Sequence, residues 1–358
     1  TTAPCTPSPP IPNPKIMFHK GDKYFPFATL VLIGILIITT GCRHQTQQLQ
    51  TIIDGYAQGG TYHIVLVGDS TSHGLKPQID SILNQIDNSL SLYNPQSLLC
   101  RINRGETDTL DHLITSCIRL ADSISRESDG RYDITIGPLT AAYGFAGGKP
   151  TQNPNIDSLL ERVGYQKLSI EQGHLKKQHP DMRIDLNSIA QGATVDCLAH
   201  WLDSLGKTNY LIELGGEIFA RGCNAQGMPW RVGIDKPIEG NMTPGAQLQV
   251  RIGISNCGLA TSGNYRKFYT DSSGRKIVHT VDARTGQPVV SNLLSATVVA
   301  PSSAQADAYG TLCMILGLEE SIRFLKEHPE LQAYLVWSDE QGAYQTYMTP
   351  DMETWILE

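Results

Sequence analysis

The sequence predicts an α+β fold in a single domain, and two observations indicate this. The strand candidates are bunched rather than evenly spaced, and the amphipathic helices are long. No regular alternation of strand, helix and strand occurs, so a doubly wound parallel sheet is not expected. The 358 residues are 40% hydrophobic and 18% charged, which is the composition of a folded globular protein.

The elements follow in order from the hydrophobic periodicity. A strand at 62–67 (YHIVLV) precedes two amphipathic helices, whose apolar residues run from Leu75 to Leu90 and from Leu110 to Ile124. A third helix is predicted at 189–205. The remaining predictions are strands at 210–214, 230–234, 248–254, 277–281, 296–300 and 333–337, and helices at 304–316 and 319–326.

The N-terminal region is typical of an export signal. Lysines precede an apolar run from Phe25 to Ile38, which is shorter than the roughly 20 apolar residues that a membrane-spanning helix needs. The run ends in small residues followed by Cys42, which resembles a bacterial lipoprotein box. The predicted divisions are an upstream segment at 1–16 that is not part of the protein in the cell, a signal peptide at 17–41, a lipidated cysteine and tether at 42–54, and the domain at 55–358. We therefore expect a membrane-anchored lipoprotein of the bacterial cell envelope that faces the periplasm.

The charge balance limits the class of ligand. A formal net charge of −7 offers no basic patch for nucleic acid, so no nucleic-acid partner is expected. The same charge would repel a nucleotide unless a cation or directed N–H groups intervened. The eight cysteines show no CxxC or zinc-type spacing.

Three short segments near the C-terminus supply groups that cleavage of a phosphoanhydride needs: GLATSGNY (258–265), HTVDARTG (279–286) and ADAYGT (306–311). The small residues of the first, Ser262 among them, allow backbone N–H groups and hydroxyls to approach phosphate oxygens. His279 can accept a proton near neutral pH, and Asp282 is close enough in sequence to orient it. Asp307 and Thr311 lie four apart on a predicted helix and present oxygen to a hard cation such as Mg²⁺.

Each of these groups also has an ordinary structural explanation. The Asp and Thr pair could lie on a solvated helix face, the histidine could have no role, and the small residues could form a plain turn. Tyr93, Tyr143 and Phe145 could pack in a core or stack on a planar ring. Asp185 could cap the predicted helix that follows it, or accept hydrogen bonds from an adenine amine or a ribose hydroxyl.

Read together, the segments resemble the ApbE family of flavin transferases, in the family's order. They are GGTYHIV, DNSLSLYNPQSLLCRIN, DGRYDITIGPL, YGF, DLNSIAQGATVD, YLIELGGEIFARG, WRVGIDKP, LATSGNY, HTVDARTG and ADAYGT. The resemblance implies an α+β domain of the T-fold type and Mg²⁺-dependent transfer of FMN from FAD to a Thr or Ser of an exported flavoprotein, with release of AMP. The implied metal ligands are Asp307 and Thr311, with Ser188 or the carbonyl of Ala190 contributing from the start of the neighbouring helix. The implied FAD contacts are Gly59, Tyr93, Tyr143, Gly144, Phe145, Asp185, Gln191 and Val281, and His279 is the implied base.

The chain departs from the family pattern at several positions. Ala283 and Ile134 stand where the family usually has Pro, and Ser188 and Gln191 replace the common Gly and Lys. The chain has no DGxTGAT-like acceptor of its own, so the acceptor is expected to be a separate protein. Two alternatives remain open: a Mg²⁺-dependent FAD pyrophosphatase that gives FMN and AMP, and a lipid-anchored FAD-binding protein without turnover.

Overall fold

The computed structural model describes residues 49–68, 74–145, 149–238, 245, 247–264, 268–270, 274 and 276–357. The predicted signal peptide, the predicted lipid site at Cys42 and most of the predicted tether lie outside these residues, as does Tyr265. Within the described ranges, no helix combines the length and the apolar character needed to cross a membrane.

The chain forms nine helices and sixteen strands over the described residues. The helices are α1 (Lys76–Leu90), α2 (Leu98–Asn103), α3 (His112–Glu127), α4 (Gly137–Ala142), α5 (Ile156–Leu160), α6 (Ala190–Ser204), α7 (Ser303–Leu316), α8 (Leu318–Glu327) and α9 (Pro350–Glu353). The strands are β1 (Gln50–Ala57), β2 (Gly60–Val67), β3 (Leu168–Glu171), β4 (His174–Lys177), β5 (Tyr210–Leu214), β6 (Glu217–Arg221), β7 (Trp230–Asp235), β8 (Leu248–Ile254), β9 (Cys257–Gly263), β10 (Phe268–Thr270), β11 (Lys276–Val278), β12 (Val281–Asp282), β13 (Gln287–Pro288), β14 (Leu293–Ala300), β15 (Gln332–Ser338) and β16 (Tyr344–Met348).

An eight-stranded sheet in the order β1-β2-β5-β6-β9-β14-β15-β16 forms the centre of the domain. Every neighbouring pair in it is antiparallel. Both faces of this sheet are covered. Successive residues of a strand point to opposite faces, so neighbouring residues pack in different parts of the core. Val298 of β14 packs among the helices, whereas Val299 packs with the β7–β8 hairpin and α9. The predicted α+β class is confirmed.

Helix α7 has eleven of its fourteen residues buried and lies directly on β9 and β14. Ser302 caps it by accepting the N–H of Gln305 (3.2 Å), and it ends at Gly317, whose φ of +74° favours glycine. Its first residue, Ser303, is fully buried against Gly192 of α6 and Gly258 of β9. A Cβ at either glycine would clash with the backbone of Ser303, so both glycines are needed for this approach.

Two predicted boundaries are wrong. Residues 50–54 were assigned to the tether, but β1 begins at Gln50 and pairs with β2 along its whole length. Exposed and buried residues alternate along β1, and Thr51 and Ile53 are buried. The strand was missed because it depends on pairing with β2, which the local sequence does not show. The strand predicted at 277–281 is interrupted, since β11 ends at Val278 and β12 begins at Val281. His279 therefore lies in the connection between the two short strands.

Candidate active site

A cleft of about 240 Å³ lies where the start of α6, the end of β9, the middle of α7 and the segment around His279 meet. Its lining combines carboxylates, hydroxyls, one imidazole and aromatic rings. The described residues that line it are Tyr93, Tyr132, Asp133, Ile136, Thr140, Phe145, Asp185, Asn187, Ser188, Gln191, Gly215, Glu217, Thr261, Ser262, Gly263, His279, Thr280, Val281, Asp307, Thr311 and Ile315.

Residues from three separate segments bring carboxylate and hydroxyl side chains to the lining of this cleft. Asp307 and Thr311 project from the same face of α7, as their spacing predicts, and the Thr311 hydroxyl lies 3.4 Å from the hydroxyl of Ser262 on β9. Gly310 allows this approach, because a Cβ there would lie 3.0 Å from the Ser262 hydroxyl. Ser188, just before α6, lines the same cleft.

The Asp307 carboxylate is buried, with 6% of the residue exposed, and it is the only charged side chain of α7. One of its oxygens accepts the backbone N–H of Gly192 at 3.2 Å. This hydrogen bond ties α7 to the first turn of α6 and sets the direction of the carboxylate. A buried carboxylate charge is costly unless hydrogen-bond donors or a cation compensate it. Buried carboxylates of this kind occur often at functional sites.

His279 lines the cleft from the connection between β11 and β12. Its ring meets the ring of Phe145 edge-on, with 6.2 Å between the ring centroids. The next residue, Thr280, is buried and donates its hydroxyl to the side-chain oxygen of Asn264 (2.8 Å), which connects this segment to the end of β9. The break between β11 and β12 thus presents the imidazole to the cleft while its neighbour holds the backbone.

Asp185 lies in the loop that precedes α6, and its carboxylate is held by two donors. The hydroxyl of Thr140 donates to one oxygen (2.8 Å), and the N–H of Asn187 donates to the other (3.0 Å). Because the helix begins only at Ala190, the expected capping role of Asp185 is wrong, and its carboxylate closes a local turn instead. Tyr93 is 63% exposed at the cleft, yet burial of its phenol end and the charge of Asp185 raise its pKa.

The lining is acidic. Four acidic residues, Asp133, Asp185, Glu217 and Asp307, are among the described residues that line the cleft, and none of these lining residues is a lysine or an arginine. A diphosphate would therefore need a cation to enter. No three His, Cys, Asp or Glu side chains of the described residues cluster as metal ligands. Mg²⁺ typically takes only one or two protein carboxylates and completes its shell with water and phosphate oxygens, so Asp307 with the nearby hydroxyls fits it.

Comparison with known proteins identifies the relatives of this chain. The model of the ApbE family matches residues 58–335. The chain belongs to the ApbE family. A curated relative from Escherichia coli (strain K12), named FAD:protein FMN transferase, is 30% identical over 92% of this chain and 98% of the relative. A relative of the same name from Haemophilus influenzae is 32% identical over 87% of this chain and 93% of its own length.

Solved structures of ApbE proteins share the fold. The flavin transferase ApbE from Vibrio cholerae superposes with a TM-score of 0.73 at 27% identity, covering 86% of this chain and 99% of that one. The apo form of the Pseudomonas stutzeri flavinyl transferase ApbE gives 0.76 at 29% identity, covering 86% and 97%. The predicted resemblance is confirmed.

The structure brings most of the residues implied by the ApbE pattern together. His279, Tyr93, Phe145, Asp185, Gln191, Val281, Ser262, Asp307, Thr311 and Ser188 all line the cleft. Among the described residues, the other five predicted positions are not part of its lining. Each of these five has a structural role that the coordinates make visible.

Asp282 accepts the N–H of Arg284 (2.8 Å) within the turn that follows β12, so its carboxylate supports the turn and does not face the cleft. Tyr143 is buried among apolar side chains and donates its hydroxyl to the carbonyl of Gly286 (2.8 Å), which is the packing role that the sequence left open. Gly144 has a φ of +82° and turns the chain against Pro150.

Gly59 belongs to the tight turn between β1 and β2, with a φ of +78°. The adjoining Gly60 packs on the backbone of Gly215, so the hairpin borders the cleft without lining it. The carbonyl of Ala190 accepts the hydroxyl of Thr194 (2.7 Å) inside α6. Of the two ligands expected near the start of this helix, the side chain of Ser188 is the one that reaches the cleft.

Sequence reasoning missed several polar residues of the cleft, and Tyr132, Glu217 and Asn187 are three of them. Tyr132 is fully buried, and its hydroxyl lies 3.0 Å from that of Ser188. Burial raises the pKa of Tyr132 well above its usual value, so the phenol stays protonated beside Ser188. Glu217 is 8% exposed and directly follows Gly215-Gly216, and Asn187 lies two residues after Asp185. These positions were the available signal for Glu217 and Asn187.

Proposed function

We propose that this protein transfers FMN from FAD to a Thr or Ser hydroxyl of an exported flavoprotein and releases AMP. The observation that carries the proposal is the meeting of Asp307, Thr311 and Ser188 with His279 in one cleft, from segments far apart in sequence. The shared fold and the names of the curated relatives support the same activity. The proposed partners are therefore FAD and a separate acceptor protein.

The proposed metal is Mg²⁺, bound by Asp307, Thr311 and Ser188. These side chains offer one carboxylate and two hydroxyls, which suits a hard cation that retains water and substrate phosphate as further ligands. When bound, the ion neutralises charge on the diphosphate and stabilises the departing phosphate oxygen. It also explains how an anionic substrate enters a cleft lined by carboxylates.

The proposed chemistry is phosphoryl transfer to an alcohol. The acceptor hydroxyl oxygen bonds to the FMN phosphorus, and the bond from this phosphorus to the bridging oxygen breaks. The bridging oxygen keeps the electron pair and departs on AMP, while His279 accepts the proton of the hydroxyl. Phe145 packs against the imidazole ring and limits its rotation.

Other lining residues suit recognition of the two halves of FAD. Tyr93 offers an exposed aromatic ring for stacking on a planar system. Asp185 is fixed by Thr140 and Asn187, so its carboxylate is pre-oriented to accept hydrogen bonds from an amine or a hydroxyl. Gln191 stands where the family usually has lysine and supplies an uncharged amide.

We also propose that the protein is a lipoprotein of the bacterial cell envelope, anchored to a membrane through Cys42 and facing the periplasm. The basis is the apolar run that ends directly before this cysteine, together with the exported nature of the proposed acceptor. Metabolic labelling with a fatty-acid analogue tests the anchor. Labelling of the wild type but not of Cys42→Ser is the expected result, and equal labelling of both would contradict the lipoprotein assignment.

The decisive experiment for the activity follows both products of one reaction. Purified protein is mixed with FAD, Mg²⁺ and an exported flavoprotein domain that carries a DGxTGAT-type threonine. We expect AMP and protein-bound FMN in equal amounts, measured by liquid chromatography and by the mass of the acceptor. An acceptor with this threonine changed to alanine is the matched control.

Two other outcomes would identify the alternatives. Free FMN and AMP at the same rate with either acceptor would indicate a pyrophosphatase in which water is the nucleophile. Retained FAD binding without any AMP would indicate a flavin-binding protein without turnover. Either result would overturn the proposed transfer reaction.

A further inference from the structure

A carboxylate outside the cleft joins the two helices that carry the proposed metal ligands. Asp196 lies in the second turn of α6, at the end of the DLNSIAQGATVD segment. One of its oxygens accepts the backbone N–H of Ser303 (2.8 Å), and the other accepts the N–H of Ala304 (2.9 Å). These are two of the N–H groups at the start of α7 that have no partner inside the helix.

Close packing fixes the position of the first turn of α7. Ser303 is fully buried between the backbones of Gly192 and Gly258, and a Cβ on either glycine would clash with it. A carboxylate that accepts two adjacent N–H groups fixes both the axial position and the rotation of the helix. Such bonds to an ionised acceptor are shorter and stronger than neutral ones, and the positive end of the helix dipole adds to them.

The two helices are connected by two sets of hydrogen bonds, one turn apart. In the first, Asp196 of α6 holds Ser303 and Ala304 of α7. In the second, Gly192 of α6 donates to Asp307 of α7 at 3.2 Å. Asp196 lies four residues after Gly192, and Ser303 lies four residues before Asp307. A slip or rotation of α7 at the first connection therefore displaces the Asp307 carboxylate at the second.

We infer that Asp196 is a positioning residue for the metal site, which sets where Asp307 and Thr311 stand relative to Ser188. The inference rests on the proposed function, because that function supplies the metal. Asp196 itself does not line the cleft, so it acts through α7 and not on the substrate. Residues that orient metal ligands in this way typically change metal affinity by 10–100-fold when they are altered.

The test compares Asp196→Asn with the wild type. The amide is nearly isosteric, but only its oxygen can accept an N–H, and its NH₂ group opposes the second donor. The matched control is Asp203→Asn on the same helix. Asp203 accepts the hydroxyl of Tyr210 (2.7 Å) and pairs with Arg221, away from α7. Both variants lose one negative charge and one set of charge-assisted hydrogen bonds.

The main measurement is the Mg²⁺ concentration that half-maximally raises the melting temperature of the protein in the presence of FAD, which requires no turnover. For Asp196→Asn we expect this midpoint to rise roughly tenfold, whereas Asp203→Asn keeps the wild-type midpoint. The turnover number at saturating Mg²⁺ should stay within about twofold of the wild type, since the ligands themselves are intact. Amide exchange at Ser303 and Ala304 should accelerate in Asp196→Asn.

Three results would overturn the inference in distinguishable ways. A lower melting temperature with an unchanged Mg²⁺ midpoint in Asp196→Asn would show that Asp196 only stabilises the fold. Equal midpoint shifts in both variants would trace the effect to lost charge. No Mg²⁺ response in the wild type would remove the proposed metal site, and the inference with it. Should Asp196→Asn not fold, Asp196→Glu keeps the charge but lengthens the side chain by one methylene group, and a shift of the Mg²⁺ midpoint below twofold would contradict the inference.

Discussion

Replacing Asp307 with asparagine separates the metal site from the stability of the fold. The residue is 6% exposed, and its carboxylate accepts the N–H of Gly192 at 3.2 Å. The carbonyl oxygen of asparagine can still accept this hydrogen bond, while the buried negative charge is removed. Because burial disfavours an ionised carboxylate, we expect the free energy of unfolding to fall by no more than about 1 kcal/mol.

The expected loss of activity is far larger. Asp307 is the one acidic side chain among the proposed ligands, and the hydroxyls of Thr311 and Ser188 carry no charge to replace it. Removing a preorganised electrostatic contact of this kind typically costs 10²- to 10³-fold in rate. With the additional loss of metal affinity, we expect transfer to fall by about 10³-fold or more, which corresponds to about 4 kcal/mol of transition-state stabilisation.

The assay measures AMP release and FMN bound to the acceptor over a range of Mg²⁺ concentrations, beside urea unfolding of the same preparation. Asp122→Asn serves as the control, because Asp122 pairs with Arg126 on an exposed face of α3. An Asp307→Asn enzyme that keeps more than roughly a tenth of wild-type activity at saturating Mg²⁺ would refute the reasoning. Loss of activity together with unfolding would refute the stability argument.

Three further predictions concern single groups. His279→Gln should lower transfer by about 10²- to 10⁴-fold and leave FAD binding, followed by flavin fluorescence, within about twofold; undiminished transfer would exclude a base role. Tyr143→Phe removes the donor to Gly286 and should lower the free energy of unfolding in urea by about 1–2 kcal/mol with normal transfer; a transfer defect would contradict its packing role. Burial raises the pKa of Cys117 and of Cys313 to about 12, so both side chains are thiols at pH 8. Iodoacetamide should therefore modify them only after unfolding, and labelling of the native protein would contradict their burial.

The regular elements were largely predictable, because their signals are local. The helix at 304–316 and the strands at 210–214 and 248–254 were confirmed to within a residue or two. Periodicity reports which face of a segment is apolar, and this suffices where the face is long and continuous. It failed at β1, where Thr51 and Ile53 are buried and Ile52 is exposed, so neither face of the strand is uniformly polar or apolar.

The candidate site was also predictable only in part. The spacing of Asp307 and Thr311 places both on one helix face, which follows from helix geometry alone. Whether Asp282 or Tyr143 lines the cleft depends instead on hydrogen bonds made in turns. Asp282 accepts the N–H of Arg284, and Tyr143 donates its hydroxyl to the carbonyl of Gly286. The contribution of Tyr132 was not predictable either, since no local pattern marks a buried polar side chain as cleft-facing.

The family of this protein follows from its amino-acid sequence, as do the chemical groups that the proposed function requires: a carboxylate and a hydroxyl one helical turn apart, a histidine, and small residues near them. Which of these groups meet depends on the tertiary structure. Asp307 and Gly192 are 115 residues apart, and their contact depends on how α7 seats between α6 and β9. The reason is physical: side-chain spacing within a helix is set by the backbone, whereas contacts between elements are set by the close packing of whole surfaces.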